Sequence, residues 1–364
     1  MEITFLIGNG FDLNCGLDCS YISICKRYIK SPSSTKTVAD FKKHMSQDIA
    51  TWGAFEERMA QSIPSFKSEN DFLECLFDFT HFLDNHLQNQ EIAFYERIKE
   101  NAKNTNNVIR ETRNSIDTFY KKLSKNEENH LIEINSEDLM MDYHAIVFNY
   151  TTIFDFLWKN AFTKLGDELS NADSMYNSSV PIHIHGNLNN HMLIGVDNEG
   201  QLSTPFKFHL SKRTKQAFVK PLLNNAYDRN RIKETKKTIK SSDVICVFGM
   251  SLGDTDSTWR NLLSEWLFEN EKHQLFYYWY EYAILSNFTL PERIAKMDEA
   301  RIRFLKELMH LSSSDSCKIL HQVHIPCCSN IFNINNVIEK PIFLAGASPI
   351  EKGLRAQVPK AIIK

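Results

Sequence analysis

Glycine placement constrains this chain more than any other feature. Only 12 of its 364 residues are glycine, well below the average usage of about 7%. Seven of the twelve fall in three short segments: Gly8, Gly10 and Gly16; Gly186 and Gly195; Gly249 and Gly253. Each segment follows a run of β-branched or aromatic residues that reads as a buried strand: Ile3 to Ile7, Ile182 to His185, and Val244 to Phe248. A fourth run, Ala145 to Phe148, ends in Asn149-Tyr150-Thr151-Thr152. Strands that stop at Gly, Asn or Thr before a helical pattern are the signature of parallel βα units. Ligands of such sheets sit outside the carboxyl ends of the strands, so these turns are expected to share one crevice.

Composition bounds the rest. At 42% hydrophobic and 24% charged residues the chain can bury a sizeable core, and its net charge of -3 offers no global positive field for nucleic acid. No apolar stretch reaches the roughly 18 residues of a membrane span. The apolar run after Met1-Glu2 ends at Ile7, too short for a secretory signal. The eight cysteines contain no CxxC pair, so reduced structural thiols are expected instead of a zinc site. The expectation is a cytoplasmic protein that needs no metal, no membrane and no nucleic-acid partner.

Between the first strand and Ala145 the pattern turns helical. Phe72, Leu76, Phe79, Leu83 and Leu87 form an apolar stripe, continued by Ile109, Ile116, Phe119 and Leu123. Ser31 to Ser34 and Asn101 to Asn107 read as breaks. Residues 30–140 are therefore expected to form a helical insertion beside a core made of 1–29 and 141–345. Leu210 to Lys240 reads as basic helix interrupted at Pro221, and a helix carries Trp259, Leu262, Leu263, Trp266 and Leu267. His273 to Tyr282 reads as an aromatic strand, Glu292 to Leu311 as a helix, and Lys318 to Ile325 and Pro341 to Leu344 as late strands. Residues 346–364 read as a polar tail.

Four constellations could carry chemistry. In Gly8-Asn9-Gly10-Phe11-Asp12, a strand runs through glycines into a helix, which would aim backbone amides at a phosphate. Leu13 stands where a full dinucleotide fingerprint has its third glycine, so a plain strand-to-helix turn explains the pattern equally. Asn149 at a strand end can orient a ribose hydroxyl or a water, while Thr151 or Thr152 can simply cap the next helix. In His183-Ile184-His185-Gly186, His185 lies nearer the crevice and suits proton transfer near neutral pH, whereas His183 reads as a buried core residue. In Gly249-Met250-Ser251-Leu252-Gly253-Asp254-Thr255-Asp256, glycines permit close approach and Ser251 and the aspartates can bond sugar hydroxyls. Asp256 is also a natural cap for the Trp259 helix. The Gly-x-Ser-x-Gly spacing raises a serine hydrolase, but His185 precedes the serine instead of following it. A nuclease would want a carboxylate cluster for two metals, and none stands out.

On these segments, together with Gly16-Leu17, Ser20-Tyr21, Trp52-Gly53-Ala54-Phe55-Glu56 and Ile194-Gly195-Val196-Asp197, the chain resembles the abortive infection AbiH family of phage-defence proteins. More distantly that family resembles the sirtuin-like superfamily. The resemblance implies a Rossmann-like α/β fold with a mostly parallel sheet, and NAD as the substrate. It implies catalysis by Asn149 and His185, with Gly8, Asn9, Gly10, Phe11, Asp12, Gly249, Ser251 and Asp254 binding the nucleotide. Two departures matter. Thr151 replaces the aspartate that usually follows the asparagine by two positions, and the sirtuin zinc module is missing. NAD hydrolysis to ADP-ribose and nicotinamide is the leading expectation. The alternative is a nucleotide-binding sensor or scaffold without turnover. The partners it allows are NAD or a related nucleotide, a second copy of the chain, or another protein of a defence system. Trp52, Phe55 and Glu56 would either face the ligand or pack as ordinary helix.

Overall fold

The computed structural model describes residues 1–120, 140–170, 175–205, 208–283, 289–327 and 330–339. Among the described residues seven strands form one sheet: β1 (Glu2–Ile7), β2 (Met140–Val147), β3 (Met175–Ser178), β4 (Ile182–His183), β5 (Val244–Phe248), β6 (Gln274–Tyr278) and β7 (Val323–His324). Their order is β3-β2-β1-β5-β6-β7, with β4 pairing the end of β2, and every pairing is parallel. This is a Rossmann-like α/β fold. The chain builds outward from β1 on one side through β2 and β3, then returns to build on the other through β5, β6 and β7. The direction reverses between β1 and β5, which is where open α/β sheets hold their ligands.

Strand alternation explains why the sheet is covered on both faces. Ile3, Phe5 and Ile7 of β1, with Tyr143, Ala145, Val147, Val244, Cys246 and Phe248, belong to one core cluster. Leu6, Ile146, Ile245, Val247, Leu275 and Tyr277 point the other way into a second. The first cluster continues into the helices between β1 and β2. Phe5 meets Phe119 from that segment, Trp158 from the helix after β2 and Phe332 from beyond β7, all edge-on with ring centroids 5.4–6.1 Å apart. Those helices include Tyr21–Tyr28, Lys36–Gln47, Phe55–Ser62, the long Glu69–Lys99 and Ala102–Thr118. The second cluster is closed by the Ser257–Glu269 helix, whose Trp259, Leu262, Leu263, Trp266 and Leu267 are all buried. Among the described residues no helix is long and apolar enough to cross a membrane.

Some expectations need correction. The strand expected at Lys318 to Ile325 is mostly helical, with Ser313–Ile319 followed by a 3-10 turn and only Val323–His324 in the sheet. Polar Ser312 caps that helix by accepting from Asp315 N, a local signal that outweighs the apolar run behind it. The break expected over Asn101 to Asn107 is one residue long: Asn101 caps a helix that runs through the other asparagines. Strand β3 carries no clear apolar run and was not expected. The basic stretch is three helices, Lys212–Phe218, Lys220–Tyr227 and Arg229–Ser241, with Pro221 in the first turn of the second, where a missing N–H costs nothing. Leu123, the Pro341 to Leu344 strand and the 346–364 tail lie outside the described residues. Of the described cysteines, Cys317 is exposed and six are buried.

Candidate functional site

At the β1/β5 reversal lies a crevice of about 890 Å³, within the usual range of small-molecule pockets. It is lined by Gly8, Asn9, Gly10, Asp12, Asn149, His185, Gly249, Ser251 and Asp254. Nine of the ten residues singled out from sequence therefore converge. The exception is Phe11, whose fully buried ring packs edge-on against Phe154 at 5.1 Å and Phe332 at 5.5 Å. It is a core residue. Phe55 and Glu56 also line the crevice, as does Tyr21, which stacks on Phe55; Trp52 instead packs edge-on against Phe41 in the core.

The glycines bring two loops into backbone contact. Gly8 N donates to Phe248 O and Gly10 N to Gly249 O, both at 2.9 Å, and Phe11 N donates to Gly8 O at 3.0 Å. These amides are engaged within the protein. The close approach is between two loops: a Cβ on Gly8 would stand 2.4 Å from Gly249 O, and one on Gly10 2.5 Å from Gly249 Cα. Gly249 itself has φ +67, a conformation that disfavours any side chain. The glycines thus lock the ends of β1 and β5 together and shape the crevice floor.

Asp12 lines the crevice with one carboxylate oxygen already engaged. It is almost fully buried, and its Oδ1 accepts from Asn149 Nδ2 at 2.8 Å and Thr151 Oγ1 at 2.7 Å. Burial pushes its carboxyl up to about 6 against the pull of those two hydrogen bonds, with Glu91 adding to the rise and His183 opposing it. Asp12 therefore orients Asn149. With its amide nitrogen turned to Asp12, Asn149 is left with an Oδ1 that is buried and without a hydrogen-bond partner. An unsatisfied buried acceptor is costly, and this one belongs to a residue on the crevice wall.

The expected capping roles also go elsewhere. Thr151 serves Asp12, and Thr152 makes no side-chain cap; Glu91 from the long helix accepts from Thr152 N at 2.8 Å instead. Asp256 makes no cap either. Asp197 Oδ2 takes Ser257 Oγ, Thr258 N and Thr258 Oγ1 at 2.6–2.9 Å, which frees Asp256 to face the crevice.

There it meets a buried charge network. Lys220 Nζ lies 2.8 Å from Glu56 Oε2 and 3.4 Å from Asp256 Oδ1, and Glu56 Oε1 also accepts from Gly195 N. Burial pushes the Glu56 carboxyl up, while Asp256 and Glu56 outweigh the burial of Lys220 and hold it above the ordinary lysine range. With an ammonium at 2.8 Å, the ionised pair is the arrangement we assign. His185 Nε2 sits 3.7 Å from Asp256 Oδ1. Burial, then the Lys220 charge and Arg231, hold the imidazole well below its ordinary value, opposed by a hydrogen bond to the Phe148 carbonyl. His185 is neutral at pH 7. His183 is buried as expected, with Nδ1 at 3.2 Å from Asn149 O and Nε2 at 2.7 Å from Asp155 Oδ2. Ser251 is exposed, and no histidine pairs with it among the described residues.

A family model described as bacteriophage abortive infection AbiH matches residues 4–278, about three quarters of the chain. The chain belongs to the AbiH family. No curated protein matches it. The matched span runs from within β1 to the end of β6 and takes in every residue of the crevice named above, so the crevice belongs to the AbiH part of the molecule. Lys220 was not legible as part of it. It lies in a basic stretch where local pattern cannot separate one buried lysine from its exposed neighbours.

Proposed function

We propose that this AbiH protein acts in abortive infection by cleaving NAD to ADP-ribose and nicotinamide in the crevice between β1 and β5. The observation that carries the reading is the orphan Oδ1 of Asn149, fixed by Asp12 and Thr151, on the same crevice wall as a neutral His185. The residues fit the nicotinamide-ribose end of the substrate, where hydroxyl and water donors need acceptors.

Asn149 Oδ1 accepts from a ribose hydroxyl or the attacking water, which fixes the reacting geometry. Water oxygen bonds to the ribose carbon as the bond to the pyridinium nitrogen breaks, and the bond pair neutralises the ring. The leaving group needs no proton. One water proton is released, and the acceptor nitrogen of His185 takes it on its way to solvent. An acceptor as weakly basic as His185 suffices only because the ribose carbon is strongly electrophilic as the base departs. That low basicity is also what favours the second reading, a nucleotide sensor that binds without turnover.

Release of nicotinamide from NAD decides between them. Asn149→Ala and His185→Ala should each lower the rate by roughly 10²–10⁴ and abolish phage protection, with circular dichroism and unfolding midpoint retained. NAD binding without cleavage by the wild type, or cleavage undiminished in both variants, moves the conclusion to the sensor.

A further inference from the structure

We propose that the crevice selects its ligand by positive charge, taking an N-substituted pyridinium or similar cationic heterocycle in preference to its neutral form. This rests on reading the crevice as the site of an N-glycoside, and it names what part of that ligand is recognised.

The argument starts from a charge count. Glu56 and Asp256 share one ammonium, Lys220, whose side chain is only 5% exposed. One negative charge is left over in this trio, and Arg231, which also acts on His185, pairs instead with Asp228 at 3.9 Å. His185, 3.7 Å from Asp256, is neutral and does not offset it. Asp12 adds a second carboxylate, held only by a neutral amide and a hydroxyl and forming no ion pair among the described residues. Burying unmatched charge is unfavourable unless a counter-charge arrives.

An independent observation points to a ligand in the same place. Asn149 is 4% exposed, lines the crevice, and holds a buried Oδ1 with no partner. An acceptor and two unmatched carboxylates ask for a donor-rich or cationic guest. The aromatic wall supplies the shape: Tyr21, Phe55, Phe148 and Tyr150 line the crevice, and aromatic faces attract flat cations.

Other guests fit less well. Among the described residues Lys220 is the one lysine on the crevice wall and it is already engaged, so an anionic group finds no free ammonium at this end of the crevice. Among the described residues no three His, Cys, Asp or Glu side chains come together to hold a metal.

Calorimetry on the full chain with 1-methylnicotinamide, a cation, and nicotinamide, its neutral counterpart, tests the idea. The cation should bind at least tenfold more tightly, and NAD should outcompete NADH in the same sense. Asp256→Asn, which leaves a neutral Glu56–Lys220 pair, should remove most of that preference while sparing nicotinamide itself. Asp12→Asn serves as a second variant if the first does not fold. Equal affinity for the two rings, a preference untouched by both substitutions, or the same heat from Mg²⁺ alone would overturn the proposal. A cation preference without nicotinamide release from NAD would keep this inference and remove the hydrolase reading. Release without the preference would do the reverse.

Discussion

Replacing Asp12 by Asn tests the arrangement under Asn149 through stability alone. Asp12 is 1% exposed, and burial lifts its carboxyl from an ordinary 3.8 to about 6. In the unfolded chain the group ionises near 3.8; in the folded protein it keeps its proton until about pH 6. Between these values the folded state binds more protons, so stability from this group is full below pH 3.8 and is lost as pH rises through 6. A shift of about two units corresponds to about 3 kcal/mol. Asn cannot ionise, so the variant lacks this loss. Its Oδ1 still accepts from Asn149 and Thr151, but its own amide hydrogens gain no acceptor in that pocket, a pH-independent cost of about 1–3 kcal/mol. Urea unfolding of both proteins from pH 4 to pH 7.5 isolates the titrating part as a difference. The variant should gain about 3 kcal/mol on the wild type across that range. A flat difference, or one that drifts against the variant as pH rises, would mean that Asp12 is not the buried, raised carboxyl on which Asn149 depends.

Two other substitutions probe how the crevice is built. Gly249→Ala places a methyl 2.7 Å from Gly10 Cα at φ +67, with backbone on both sides and no room to yield; chemical denaturation should show a loss of about 3 kcal/mol or more. Asp197→Ala removes three hydrogen bonds from the start of the Ser257–Glu269 helix; the loss should be about 1–2 kcal/mol, and Asp197→Asn should recover part of it.

What was legible in the sequence follows from what is local. Buried parallel strands write themselves as continuous apolar runs, so β1 and β5 match their expected spans within one residue, and the turns after them carry the rare glycines. From these the common crevice follows, because parallel strands share one carboxyl end. The purpose of a glycine is not local. Gly8, Gly10 and Gly249 are needed because two loops 239–241 residues apart in sequence touch backbone to backbone, and the same letters would serve a bound phosphate. Polar roles are less local still. Asp12 and Thr151 become partners only when β1 and β2 lie side by side, and Asp256 is freed from capping only because Asp197, far back in the chain, takes its place. Each of these residues has an adequate local explanation that the assembled fold replaces. Lys220 marks the limit: an ammonium this deeply buried is tolerable only between two carboxylates, and neither Glu56 nor Asp256 is near it in the chain. The charge network that gives the crevice its character therefore exists only at the level of tertiary structure, and so do the properties of His185 that depend on it.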